Sequence, residues 1–168
     1  MSSTDRLDFT NGLVNFVAKR NDRGVVDYLT PGLQKLSEDN SSDVKKSLLN
    51  QLKPLIELSI NKFGAEGYTS VTNTAIPIIE KLLYDIDEPV RDRAIQVVGE
   101  LRKLVRDKEQ EKIMKLTLDL AHDENEKLRE SSVKLLNELA PDMGKELCEV
   151  YIVNEMYSLA YDTKPGVR

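Results

Sequence analysis

Four aspartates each stand six residues ahead of a basic residue: Asp39/Lys45, Asp85/Arg91, Asp123/Arg129 and Asp162/Arg168. A carboxylate and a cation in a fixed register can do one of two things. They can form a charged ladder that grips a partner, or they can tie one turn of the chain to the next. The planar guanidinium reaches turn carbonyls or a neighbouring carboxylate with two parallel bonds. Structural tying is therefore the expected role. Exposed pairs contribute only ~0.2–1 kcal/mol each, so stability must come from elsewhere.

Little else in the chain suggests catalysis. His122 is the only histidine and precedes Asp123, where the other copies have Glu38, Tyr84 and Tyr161. A general base or triad member is the sharp reading. A surface residue at a helix end, favoured by the helix dipole when protonated, is the expected one. Cys148 is the only cysteine, with Glu146 and Glu149 beside it. Neighbouring carboxylates disfavour a thiolate, so Cys148 reads as a small, half-buried apolar residue. One Cys and one His cannot build a zinc site. Asp85-Ile86-Asp87 hints at a calcium loop, but Val90 and Gln96 stand where glycine and glutamate are required. No phosphate-cradling glycine motif is present. The expectation is no enzyme, no cofactor and no metal.

The elements that carry these residues repeat. A pattern L-x-x-D-x-x-x-x-[VL]-[RK] runs Leu36 to Lys45, Leu82 to Arg91, Leu120 to Arg129 and Leu159 to Arg168. The aspartates are 46, 38 and 39 residues apart. A period near 40 marks stacked helix pairs.

Ahead of each aspartate, an apolar stripe at −10, −9, −6 and −3 defines a helix A. The second copy gives Ala75, Ile76, Ile79 and Leu82; the third Ile113, Met114, Thr117 and Leu120; the fourth Ile152, Val153, Met156 and Leu159. Behind it, a stripe at +5, +10, +13 and +16 defines a helix B: Val44, Leu49, Leu52 and Leu55, then Val90, Ile95, Val98 and Leu101, then Leu128, Val133, Leu136 and Leu139. Steps of three and four place such residues on one helix face. Ser41, Asp87 and Asn125 stand as N-caps of the B helices, with Thr163 replacing Lys164 in the fourth copy. Pro89 and Pro165 mark helix starts.

The A helices are expected near 25–37, 69–84, 108–121 and 146–160. The B helices are expected near 42–62, 88–105 and 126–139. Pro31 and Pro77 predict a bend in helix A, and Pro54 predicts a bend or end in the first helix B. Gly64 and Gly67 predict a longer connection before the second pair. Residues 6–20 predict a leading helix with Leu7, Leu13, Phe16 and Val17 inward. The organisation is thus a leading segment, 1–24, and a solenoid, 25–168, with repeats near 25–63, 68–105, 107–143 and 145–168. The fourth lacks its helix B before Arg168, so a fragment of a longer solenoid is expected, its face otherwise covered by another chain.

Composition fits an all-α chain. Charged residues are 32% of 168, and the net charge is −5. That balance argues against nucleic-acid binding, which needs a basic face. A single cysteine suits a reducing compartment. Residues 1–10 lack a signal-peptide core, and no stretch reaches the roughly 20 apolar residues of a membrane span. Cytoplasm is the expected location, with the nucleus as an additional compartment.

These patterns resemble HEAT repeats, an armadillo-like family, from about Val25 to Arg168. Asp87-Glu-Pro-Val-Arg-Asp-Arg-Ala94, Leu139-Ala-Pro-Asp-Met-Gly-Lys145 and Tyr151-Ile-Val-Asn-Glu-Met156 are similar to the scaffold subunit of type-2A protein phosphatases and to the regulatory subunit of the type-4 phosphatase. The chain departs from that group at Lys115 and Asn154, where proline is common. The resemblance implies a right-handed α-solenoid of antiparallel helix pairs with no active site. It also implies a ridge of A–B turns that grips a Ser/Thr phosphatase catalytic subunit and a further regulatory subunit. Here those turns are Asp39 to Ser42, Asp85 to Pro89, Asp123 to Lys127 and Asp162 to Gly166. Asp87, Glu88, Glu124, Asn125, Glu126, Thr163 and Lys164 are the candidate partner-binding residues, being loop-tip groups on a scaffold. A HEAT adaptor for transport or another assembly is the alternative. Iron hydroxylases of this fold resemble repeats with His-Glu pairs, which one histidine cannot supply. HEAT-like DNA glycosylases look basic and aromatic, unlike this chain.

Overall fold

The computed structural model describes residues 2–22, 24–142 and 148–168. Among them every regular element is helical, as the 3.6-residue stripes require. In chain order the α-helices are α1 (Ser3–Asn11), α2 (Leu13–Ala18), α3 (Val25–Ser37), α4 (Ser42–Leu83), α5 (Glu88–Leu101), α6 (Asp107–Ala121), α7 (Glu126–Leu139) and α8 (Asn154–Ala160). A short 3₁₀ turn, Ala140–Asp142, follows α7, and a π-helical turn, Cys148–Val153, runs into α8. The chain forms two compact units, Met1–Leu104 and Val105–Arg168.

In the first unit, α3 and α5 both pack on α4, and α1 and α2 also lie against it. The stripes are the reason. Val44, Leu49, Leu52 and Leu55 are at most 1% exposed, and Val90, Ile95, Val98 and Leu101 are likewise buried. Ala75, Ile76, Ile79 and Leu82, towards the end of α4, are buried with them. In the second unit α6 packs on α7, and α8 on both. Its core joins Ala121, Leu136, Ile152, Leu159 and Val167, with Val133 and Met156 partly buried at the margin. Thr117, the polar member of its stripe, is fully buried and donates from Oγ1 to the Ile113 carbonyl at 2.8 Å.

Several expectations are corrected. The connection at 63–67 is no loop. Helix runs on both sides of Gly64, the one residue of α4 with non-helical angles (φ 61, ψ −137). A positive φ with extended ψ suits glycine alone, so a single residue makes the turn. Gly67 follows it closely against the preceding segment, where a Cβ would lie 2.3 Å from the Ser59 carbonyl oxygen. Pro54 does not end its helix, since α4 continues through it; Pro31 and Pro77 lie inside α3 and α4, within the A segments where they were expected. The leading helix is two helices, because Gly12 interrupts it. Leu13 and Val17 are buried there, whereas Phe16 is 37% exposed. The fourth stripe places Val153 inward, yet it is 54% exposed. It closes the π-helical turn, whose wider winding carries it out of the 3.6-residue register. The start of the fourth A helix, at 146 and 147, lies outside the described residues. From Thr163 to Val167 the chain is a turn.

Candidate partner-binding turns

The motif aspartates build the turns. Each sits just past the end of its A helix, and each carboxylate accepts the backbone N–H two residues on. Ser41 N donates to Asp39 Oδ1 at 2.9 Å, Asp87 N to Asp85 at 3.0 Å, Asn125 N to Asp123 at 2.8 Å and Lys164 N to Asp162 at 2.8 Å. This Asx-type turn is the same in all four copies, which explains why the aspartate recurs.

The basic partners close the turns from behind. Arg91 Nη1 donates to the carbonyls of Asp85 at 2.8 Å and Ile86 at 3.0 Å. Arg129 Nη1 repeats this on Asp123 at 2.8 Å and Glu124 at 3.0 Å. Basic side chains at this register also bridge successive turns: Lys45 Nζ lies 2.7 Å from Asp85, and Arg129 Nε 2.6 Å from Asp162. The Asp39 turn has an equivalent clamp in Arg6, whose Nε and Nη2 donate to its carboxylate, the latter at 3.0 Å. Sequence reasoning missed Arg6. Its signal was a separation of 33 residues from Asp39, equal to that of Arg129 from Asp162.

These contacts set the electrostatics. Hydrogen bonds from Arg6 hold the Asp39 carboxyl below the usual carboxylate range, against a smaller opposing effect of burial. Arg129 does the same for Asp162, aided by the Lys164 N–H. Glu38 is lowered by its bond to Lys81.

The N-caps are only partly as expected. Ser41, Asp87 and Asn125 all take the extended N-cap conformation, but only Asn125 caps with its side chain, accepting from Lys127 N at 3.0 Å. Asp87 instead accepts from the Ser42 hydroxyl. That bond joins two turns.

Of the candidate binding residues, Glu88, Glu124, Asn125, Thr163 and Lys164 are exposed, while Asp87 and Glu126 are half-buried. Glu126 and Lys164 pair at 3.3 Å. Asp87, Asn125, Glu126 and Lys164 therefore serve the turns themselves. Ile86 was not anticipated. It stands at the tip of the second turn and is 91% exposed, with Tyr84 beside it at 41%. Its signal was an aliphatic residue where the other copies have Asn40, Glu124 and Thr163.

The two residues weighed for chemistry are placed in the second unit. His122 caps the end of α6 and is exposed, as expected of a helix-end residue, and its Nε2 lies 2.6 Å from Glu155 of α8. Cys148 is half-buried against the core, with Sγ 3.6 Å from the Ala140 carbonyl. Among the described residues no group of His, Cys, Asp and Glu is arranged to hold a metal, and no helix is long and apolar enough to cross a membrane. Comparison with protein-family models and with curated proteins gave no match to this chain.

Proposed function

We propose that the chain is a non-catalytic protein-binding scaffold built as a HEAT-type α-solenoid, acting as a scaffold or regulatory subunit of a Ser/Thr protein phosphatase. The observation that supports this reading most is the identical closure of the four motif turns. Each tip is fixed by its own aspartate, and ion pairs join Asp39 to Arg6, Asp85 to Lys45 and Asp162 to Arg129. Loop tips held that rigidly lose little conformational freedom when a partner docks. The sequence resemblance supplies the phosphatase; the turns supply the docking elements. A cytoplasmic protein of this kind would need no cofactor.

The test is a binding measurement between the purified chain and a type-2A or type-4 catalytic subunit, with a regulatory subunit as the second analyte. Saturable binding to either supports the reading. No binding to any of them removes the phosphatase assignment.

A further inference from the structure

We propose that Asn11 is a self-modification site, an Asn-Gly deamidation centre that the folding of α1 holds shut and that local opening of the leading helices releases. The inference is independent of any partner the chain binds.

The chemistry lies in two adjacent residues. Asn11-Gly12 is the single Asn-Gly step in the chain. The backbone nitrogen that follows an asparagine can attack the side-chain amide, and glycine, having no Cβ, leaves that nitrogen unshielded. The Gly12 nitrogen bonds to Asn11 Cγ, the Cγ–Nδ2 bond breaks, and the Gly12 amide proton departs with the NH2 group as ammonia. The product is a five-membered succinimide. Water then opens one of its two ring C–N bonds. Opening at Cγ gives aspartate. Opening at the main-chain carbonyl carbon of residue 11 gives isoaspartate, with the backbone rerouted through Cγ. One water is consumed and one ammonia released, with no oxidant or cofactor.

The fold opposes the attack. Asn11 is the last residue of α1, and the Gly12 N–H donates to the carbonyls of Asp8 and Phe9, each at 3.1 Å. That nitrogen is committed to the end of the helix. It reaches Asn11 Cγ only if these bonds break and residue 11 leaves its helical angles. The side chain is held as well, since Asn11 Oδ1 accepts from the Ser47 hydroxyl of α4 at 2.7 Å. Asn11 is nonetheless exposed, so water meets the succinimide as soon as it forms. The gate is the docking of α1 on α4. Thr10 is fully buried there, and Arg6 donates to the Asp39 carboxylate.

The products keep the gate open. An aspartate at position 11 places a carboxylate at the C-terminal end of α1, where the helix dipole disfavours negative charge. The last turn holds no basic residue, and Asp8 stands three residues away, a like-charge spacing that destabilises a helix. An isoaspartate adds a carbon to the main chain between α1 and α2 and displaces the Gly12 N–H from its two carbonyls. Either product weakens the helix that carries the Arg6 clamp on the Asp39 turn. Deamidation therefore records an opening of the leading helices and makes it irreversible.

The experiment incubates the full chain and its Arg6→Met and Gly12→Ala variants at mildly alkaline pH, in native buffer and in urea. Peptide mass spectrometry then separates asparagine, aspartate and isoaspartate at position 11. A Cβ at Gly12 meets only the Asp8 and Phe9 carbonyl oxygens, each at the ordinary contact distance of 3.5 Å, so Gly12→Ala keeps the fold, and circular dichroism melts check both variants. The parent should react about tenfold or more slowly in native buffer than in urea, because reaction from an opened helix follows the population of the open form. Arg6→Met should react several-fold faster than the parent in native buffer and at the parent's rate in urea. Gly12→Ala should react several-fold slower than the parent in urea. Equal parent rates in buffer and urea, or a native Arg6→Met rate no higher than the parent's, overturn the gate. A Gly12→Ala rate in urea equal to the parent's overturns attack by the Gly12 nitrogen, and an unfolded parent that stays asparagine at position 11 overturns the site itself.

Discussion

Arg129 and Asp162 meet through two parallel hydrogen bonds, Nε to Oδ2 at 2.6 Å and Nη2 to Oδ1 at 3.1 Å, across 33 residues of chain. The same guanidinium donates to two carbonyls of its own turn. One planar cation therefore fixes two turns at once, a task that suits arginine and not lysine. Arg129→Met should lower the melting temperature of the chain, because it takes the guanidinium donors away from two carbonyls and from the Asp162 carboxylate, which keeps only the Lys164 N–H. Arg129→Lys should recover only part of the loss. Thermal melts by circular dichroism decide it, and full recovery by lysine would show that the forked geometry is irrelevant.

The pH dependence follows from the same pairs. The Asp39 and Asp162 carboxyls titrate below their ordinary value in the folded chain because Arg6 and Arg129 donate to them. A depressed folded value means that the unfolded chain takes up protons first as pH falls. The stabilisation is thus complete above the unfolded carboxylate value, about 3.9, and is lost as pH drops below it towards the folded values. Urea midpoints should be flat from neutral pH to about 5 and then decline. An Asp39→Asn/Asp162→Asn double variant should be weaker at neutral pH and decline less steeply. Parallel acid profiles for parent and variant would assign the decline to other groups.

Gly64 and Gly67 make separable demands. Gly64 has φ 61 and open space where a methyl group would stand, so Gly64→Ala meets only backbone strain, about 1–3 kcal/mol. Gly67 has no unusual φ, but its Cβ would fall 2.3 Å from the Ser59 carbonyl oxygen and 2.8 Å from the Phe63 Cβ. Backbone must move to admit it, at roughly 1–3 kcal/mol or more. Chemical denaturation should rank Gly67→Ala as the more damaging. The reverse order would mean that the α4 kink is held by dihedral preference rather than by close packing.

Much of this architecture was legible because spacing encodes burial. The B-helix stripe could be read at every position from Val44 to Leu139, since aliphatic steps of three and four admit one helical face. The kink was partly legible. Gly64 and Gly67 announced a break, but nothing in their identity says that one residue suffices. Val153 misled because a π-helical turn has no sequence mark that periodicity detects. The turns were legible as charges and not as bonds. Asp39, Asp85, Asp123 and Asp162 could be matched with basic residues, yet their shared acceptance of a backbone N–H depends on φ and ψ. Arg6 was hidden because its own stretch of chain lacks the leucine and aspartate that define the pattern. Ile86 was hidden because it is the one aliphatic tip among polar ones, and polarity is the usual mark of a recognition loop.

The misplaced stripe residue offers the sharpest test of the packing. Leu82 and Val153 belong to the same sequence pattern, three and nine residues before their aspartates, and periodicity alone treats both as core. The structure separates them: Leu82 is fully buried, and Val153 is 54% exposed. Leu82→Ala should cost about 2–5 kcal/mol, because the lost transfer free energy is joined by the cavity left behind. Val153→Ala creates no cavity. It should change stability by no more than about 0.5 kcal/mol, and the higher helix propensity of alanine works in its favour. Urea titrations of the two variants against the parent give both values. A Val153→Ala loss near that of a buried aliphatic would mean that α8 winds as an ordinary α-helix from Cys148 onward, with Val153 turned into the core beside Ile152.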